Sequence, residues 1–107
     1  MNPIYRGDTL RFDYTAELED GTAYEFQPND IIRVGIKDRL TSSKYVLYKE
    51  ININEVTPKL RISFSADEMK KCSLGDKLLE IELTDTQGNV YTLSQEKLTI
   101  VGDVING

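Results

Sequence analysis

Apolar and polar residues alternate along most of this chain with a period of two, the spacing of a strand that buries one face. Over residues 9–19 the alternation is unbroken. Leu10, Phe12, Tyr14, Ala16 and Leu18 share one face; Arg11, Asp13, Thr15, Glu17 and Glu19 share the other. A second strand over 31–38 sets Ile32, Val34 and Ile36 against Arg33, Gly35 and Lys37, with Gly35 marking a bulge or a close backbone approach. Residues 45–53 read as a less regular strand, and 59–64 as another that buries Leu60, Ile62 and Phe64. The longest pattern is a hairpin over 76–104. Its first arm sets Leu79, Ile81 and Leu83 against a wet face of Glu80, Glu82 and Thr84, and it returns through 90–93 and 98–101. The apolar face of such a hairpin needs a second sheet to cover it.

Between these runs stand turn signals. Asp20-Gly21 and Asp85-Thr86-Gln87-Gly88-Asn89 supply residues that tolerate a left-handed backbone, and Pro28-Asn29-Asp30 punctuates an extended stretch containing Tyr24 and Phe26. Ser65-Ala66-Asp67-Glu68 is a capping box. It predicts a helix of about two turns, stopped by Gly75-Asp76, with Met69, Cys72 and Leu74 on its apolar side. Pro3 suits a strand edge in the lead-in, and 103–107 is a tail. The sum is an all-β fold: an immunoglobulin-like antiparallel β-sandwich of about seven strands with one short helix, a single domain over 1–107. Its expected core is Phe12, Tyr14, Val34, Ile36, Ile62, Phe64, Ile81, Leu83 and Leu93. The disulfide and tryptophan of antibody domains are absent.

Composition agrees with one self-sufficient core. The 107 residues are 39% hydrophobic, and a domain of this size buries about 65% of its unfolded surface. The formal charge is −5, which argues against nucleic acid, whose readers carry a positive excess. The charge is uneven. Residues 1–30 hold two basic and seven acidic side chains, 31–80 ten and seven, and 81–107 one and four. Such asymmetry allows complementary contacts between copies. No secretory leader and no apolar run of membrane-spanning length is present. The expectation is a soluble protein made in the cytoplasm, with no membrane partner.

Candidate chemistry is sparse. The chain has no histidine, which removes Ser-His and Cys-His pairs and the commonest metal ligand. Glu80 and Glu82 share a strand face, but solvent accounts for that alternation. The 85–89 cluster has oxygen ligands without the carboxylate count of a calcium loop, so it reads as a turn. Cys72, the only cysteine, reads as a small apolar residue beside Leu74. Arg6-Gly7-Asp8 spells an integrin-binding tripeptide, but so short a match reads as a Gly-Asp turn or bulge that starts the next strand. Tyr5, Tyr24, Tyr45, Tyr48 and Tyr91 are candidates to face a partner. No catalytic, cofactor-binding or metal residue is identified.

The order of the pieces carries a resemblance. Gly7-Asp8-Thr9 opens into an alternating strand; Asp20-Gly21 turns; an Ile-rich strand follows over 31–37. Leu74-Gly75 leads into 79–84, Asp85 and Gly88 turn into Val90-Tyr91-Thr92-Leu93, and the chain closes on Leu98-Thr99-Ile100-Val101 and Asp103-Val104. This resembles the N-terminal domain of the phage baseplate upper protein family, over 6–104. Thr22-Ala23-Tyr24 departs from the family's Leu-Thr-Gly step. The resemblance implies a non-catalytic phage or prophage structural protein, virion-associated, that contacts other phage structural proteins or copies of itself through a strand edge such as that near residues 1–5. A bacterial adhesion or carbohydrate-binding accessory module is the alternative.

Overall fold

A computed structural model describes residues 3–39 and 41–102. The expected tail at 103–107, the end of the resemblance at Val104, the first two residues of the lead-in and Leu40 lie outside the described residues. The order is β1 (Ile4–Tyr5), β2 (Leu10–Tyr14), β3 (Ile31–Lys37), β4 (Leu47–Asn52), β5 (Leu60–Phe64), α1 (Ala66–Met69), β6 (Gly75–Thr84) and β7 (Val90–Val101). The fold is all-β, with one single-turn helix among the described residues. One sheet has the order β1-β7-β6-β3-β4, and a second pairs β2 with β5.

Apolar residues on facing sides of the two sheets form one core. Ile32, Val34 and Ile36 of β3, Leu79, Ile81 and Leu83 of β6, and Leu98 and Ile100 of β7 meet Leu10, Leu60, Ile62 and Phe64 of the smaller sheet. Period two selects these residues, because only alternate side chains of a strand reach one face. Of the expected core, Val34, Ile36, Ile62, Phe64, Ile81 and Leu83 are buried, whereas Phe12, Tyr14 and Leu93 are half-buried at its margin. Phe12 and Tyr14 stand on a sheet of only two strands. Leu93 sits at a bulge: Ile81 faces Ser94 and Glu82 faces Thr92, so Leu93 has no counterpart.

Four further expectations need correction. The strand over 9–19 ends at Tyr14. Beyond it the chain turns on itself through a bridge between Glu17 and Ala23, with Gly21 at φ 86°, and this turn points Leu18 outward, 49% exposed. The pairing is not wholly antiparallel, since β1 runs parallel to β7, Ile4 opposite Ile100 and Tyr5 opposite Val101. β4 begins at Leu47, because Tyr45 leaves the strand line to cover Gly35. The helix closes at Met69, and single tighter turns follow, Lys71 and Cys72 donating to the carbonyls of Glu68 and Met69. Its capping box is as the sequence predicts, the Ser65 hydroxyl accepting from the Glu68 amide and the Glu68 carboxylate from the Ser65 amide. Met69 and Cys72 are buried, Cys72 as the small apolar core residue expected, whereas Leu74 is 56% exposed.

The antiparallel register sorts the connections into two ends. Residues 15–30, 53–59 and 85–89 gather at one, where β2 and β6 finish and β3 and β7 begin. The helix, the 38–46 connection and β1 lie at the other. The body measures 49 × 25 × 25 Å.

Candidate functional site

The wet face expected on β6 carries a buried acid. Glu80 lies opposite Gly35 on one side and Gln95 on the other, on the face turned away from the core. It is only 7% exposed. Gly35 makes this possible. A side chain at that position would overlap the Tyr45 ring, so the ring lies directly on the β3 backbone and reaches Glu80. The Tyr45 hydroxyl donates to Glu80 Oε1 at 2.6 Å, Gln95 Nε2 donates to Oε2 at 2.7 Å, and Lys37 Nζ stands 3.4 Å from Oε1 and 4.9 Å from the Tyr45 ring centroid.

This cluster is closed rather than reactive. The Tyr45 hydrogen bond, followed by Gln95 and Lys37, holds the Glu80 carboxyl below its ordinary value despite burial. Burial and the bond to Glu80 push the Tyr45 hydroxyl well above its own. Both carboxylate oxygens are occupied, so the acid serves to fix the 38–46 connection on the sheet. Glu82, two residues on, is half-buried and belongs to a neighbouring row opposite Arg33. The sequence pairs the two glutamates through solvent; the structure separates them by burial.

The other residues picked out by the sequence are mostly structural too. Asp85 Oδ1 accepts from the amides of Gln87 and Asn89, and Oδ2 from Asn89 Nδ2, so its oxygens close the turn, and these bonds, led by Asn89, keep the carboxyl ionised below its usual range. Among the described residues no group of three or more His, Cys, Asp or Glu side chains is placed to hold a metal ion. Arg6 does not project as a ligand. Its guanidinium donates to the carbonyls of Cys72 and Lys70, tying β1 to the end of the helical turn, and Gly7 turns at φ 88°. Cys72 is fully buried, and burial pushes its thiol up. Tyr48 is exposed on the outer face of the sheet.

A concave surface opens at the turn end. Between the 16–24 turn and the tip of the β6–β7 hairpin lies a groove of about 460 Å³, walled by Ala16, Leu18, Tyr24, Leu83, Tyr91 and Leu93, with Glu17, Asp85 and Thr92 completing its lining. Its volume falls in the range of ordinary ligand and peptide clefts. Tyr24 forms a fixed wall: its hydroxyl donates to the buried Asp30 at 2.9 Å, and burial together with that bond pushes its pKa to about 12. Asp30 also accepts from the Gln27 amide, so it braces the whole 24–30 segment. Leu18 and Tyr91 are the accessible walls, 49% and 50% exposed.

The groove borders a strand edge. β1 pairs with β7 only at Ile100 and Val101, so on that side no described strand pairs with β7 over 90–99. Acidic side chains outnumber basic ones at this end, where 53–59 adds Glu55 and one lysine, Lys59, paired with Asp13. Segments 15–30 and 85–89 hold Glu17, Glu19, Asp20, Glu25, Asp30 and Asp85 and no lysine or arginine. The sequence offered Tyr24 and Tyr91 as contact candidates, but nothing in it joined them across 67 positions of chain or brought Leu18 out of the core. No protein-family model matches this chain, and no curated protein matches it in sequence.

Proposed function

We propose that this protein is a non-catalytic structural module of the phage or prophage tail and baseplate type, built as an immunoglobulin-like sandwich and acting through protein–protein contacts. The observation that carries the reading is the strand order. On this reading β3, β6 and β7 correspond to the C, F and G strands of that architecture, β4 to the added strand beside C, and β2 with β5 to the B–E pair, an assignment that the order β1-β7-β6-β3-β4 supports. The order of turns and strands resembling a baseplate domain supports the same reading. So does the chemistry: Glu80, the most buried acid on the outer face, is saturated, and the groove is walled by apolar residues. On this reading the protein is made in the cytoplasm and carried in the particle, contacting other structural proteins or its own copies.

The test is physical association. Particles released from the producing bacterium, purified on a density gradient, should contain this protein in stoichiometric amount, and its gene should lie among tail genes. A protein absent from such particles that retains a glycan on an array would instead be the adhesion or carbohydrate-binding module, with Tyr91 in the groove as its platform.

A further inference from the structure

We infer that the groove and the adjoining edge of β7 take an extended segment of another protein, apolar and basic by turns, which adds to the sheet as a strand. This rests on the reading of the protein as a contact module and names the chemistry of its partner. β7 pairs with β6 from Val90 to Ile100, but on its other side β1 reaches only Ile100 and Val101. The β1 ladder ends there, although β7 runs on as a strand to Val90. An unpaired run of strand amides and carbonyls is a template for a further strand. The smaller sheet leaves a matching gap. It consists of β2 and β5 alone, so no described strand pairs with the side of β2 that faces β7. The Tyr14 hydroxyl crosses between the two edges to the Leu93 carbonyl, and beyond it the groove opens.

The groove sets what such a strand must carry. Alternate side chains of a strand reach one face. Those turned inward meet Leu18, Tyr24, Leu83, Tyr91 and Leu93, so they are apolar. Leu18 and Tyr91, half exposed in the free protein, are the groups that the contact covers. The rim is acidic. Glu17 and Asp85 line the groove and no lysine or arginine does, while Glu19, Asp20 and Glu25 stand exposed on the same turn end. The amide bonds to Asp85 hold it ionised, so its charge stays at the rim. Lysine or arginine between the apolar positions fits that field, which steers encounter and turns away acidic segments. Main-chain pairing along β7 gives the affinity, and the apolar and basic positions give the choice of partner.

Selection of a library of random short peptides on the full chain tests this. Enriched sequences should alternate apolar with other residues and carry an excess of lysine and arginine. One enriched peptide is then titrated into the isotope-labelled protein, where amide shifts should centre on 16–24 and 90–95 and binding should weaken as salt rises. Two methylated forms of that peptide separate strand pairing from charge, one carrying methyl groups on the backbone nitrogens of its odd positions and the other on those of its even positions. Successive amides of a strand point to opposite edges, so one form should bind about tenfold more weakly and the other like the parent. Glu17→Gln should weaken binding about threefold. Leu18→Asn with Tyr91→Asn, changed only at exposed positions and checked for folding by circular dichroism, should abolish it. No enrichment, enrichment of acidic or non-alternating peptides, equal binding of both methylated forms, or shifts elsewhere overturns the inference. So does mass above the 12.2 kDa monomer without peptide, lost in the Leu18 and Tyr91 variant, which would make a second copy the occupant. None of these results touches the structural-module reading, which stands or falls on presence in purified particles.

Discussion

The two long sides of this protein, where one sheet ends and the other begins, are finished in opposite ways. On the β4–β5 side a lysine crosses the gap. Lys49 lies opposite Val34 and so points to the core face of its edge strand. Its Nζ donates to the Ser63 carbonyl at 2.6 Å, pairs with Glu68 at 3.2 Å and stands 5.0 Å from the Phe64 ring centroid. On the β2–β7 side the Tyr14 hydroxyl donates to the Leu93 carbonyl at 3.2 Å, and toward the turn end the groove opens. An inward-pointing charge on an edge strand is a known deterrent to pairing with another chain. The difference teaches where association is discouraged and where it is not: β4 carries the deterrent, and the strand beside the groove presents Tyr91 and Leu93.

The comparison breaks first at its packing. Phe64→Ala, beneath the closed side, should cost about 3–5 kcal/mol in urea denaturation, whereas Tyr91→Ala at the groove should fall within about 0.5 kcal/mol of wild type. Equal costs would mean that the two sides are packed alike. Lys49→Ala comes next, at about 1–2 kcal/mol, because it uncovers Phe64 and removes the donor to the Ser63 carbonyl. This loss depends on pH. The Ser65 amide first, and then Lys49, hold the Glu68 carboxyl below its ordinary value. A depressed carboxyl contributes stability above its unfolded pKa and loses it as pH falls through the lowered one. The gap between wild type and Lys49→Ala should therefore narrow below about pH 4. A constant gap from neutral to acid would remove Glu68 from the account.

Ser65→Ala sharpens the same side at about 1 kcal/mol, the usual cost of a lost helix cap. The substitution keeps the backbone amide at position 65 that holds the Glu68 carboxylate for Lys49, so the double variant with Lys49→Ala should cost close to the sum of the two. The smallest effect is expected across the open side. Tyr14→Phe removes one hydrogen bond at a partly wet margin and should cost about 0.5–1 kcal/mol in the same denaturation experiment. A larger cost would mean that this bond closes its side as firmly as Lys49 closes the other.

Much of this arrangement was legible in the chain. β3, β5 and β6 follow period two, the capping box announced α1, and Gly35 was marked as a point of close approach. The failures have physical causes. Periodicity reports which face a residue is on, not what covers that face, so Glu80 read as solvated although Tyr45 lies over it. Leu18 continued the alternation of β2 on paper, but a bridge from Glu17 to Ala23 reverses the chain there. β1 is two residues long and pairs in parallel with a strand about 95 positions away, beyond the reach of any local pattern. The groove was hidden for the same reason, since its walls come from residues 16–24 and 83–93.

The parallel pairing of β1 with β7 has a mechanical consequence. The backbone at residue 3 leaves β1 toward the grooved end, and the backbone at residue 102 leaves β7 toward the helical end. Tension applied between those two points along the body axis slides one strand past the other. The short ladder that sets Ile4 beside Ile100 and Tyr5 beside Val101, and the bond from the Arg6 amide to the Val101 carbonyl, then bear the load together instead of opening in sequence. The first and last described strands therefore act as a shear clasp.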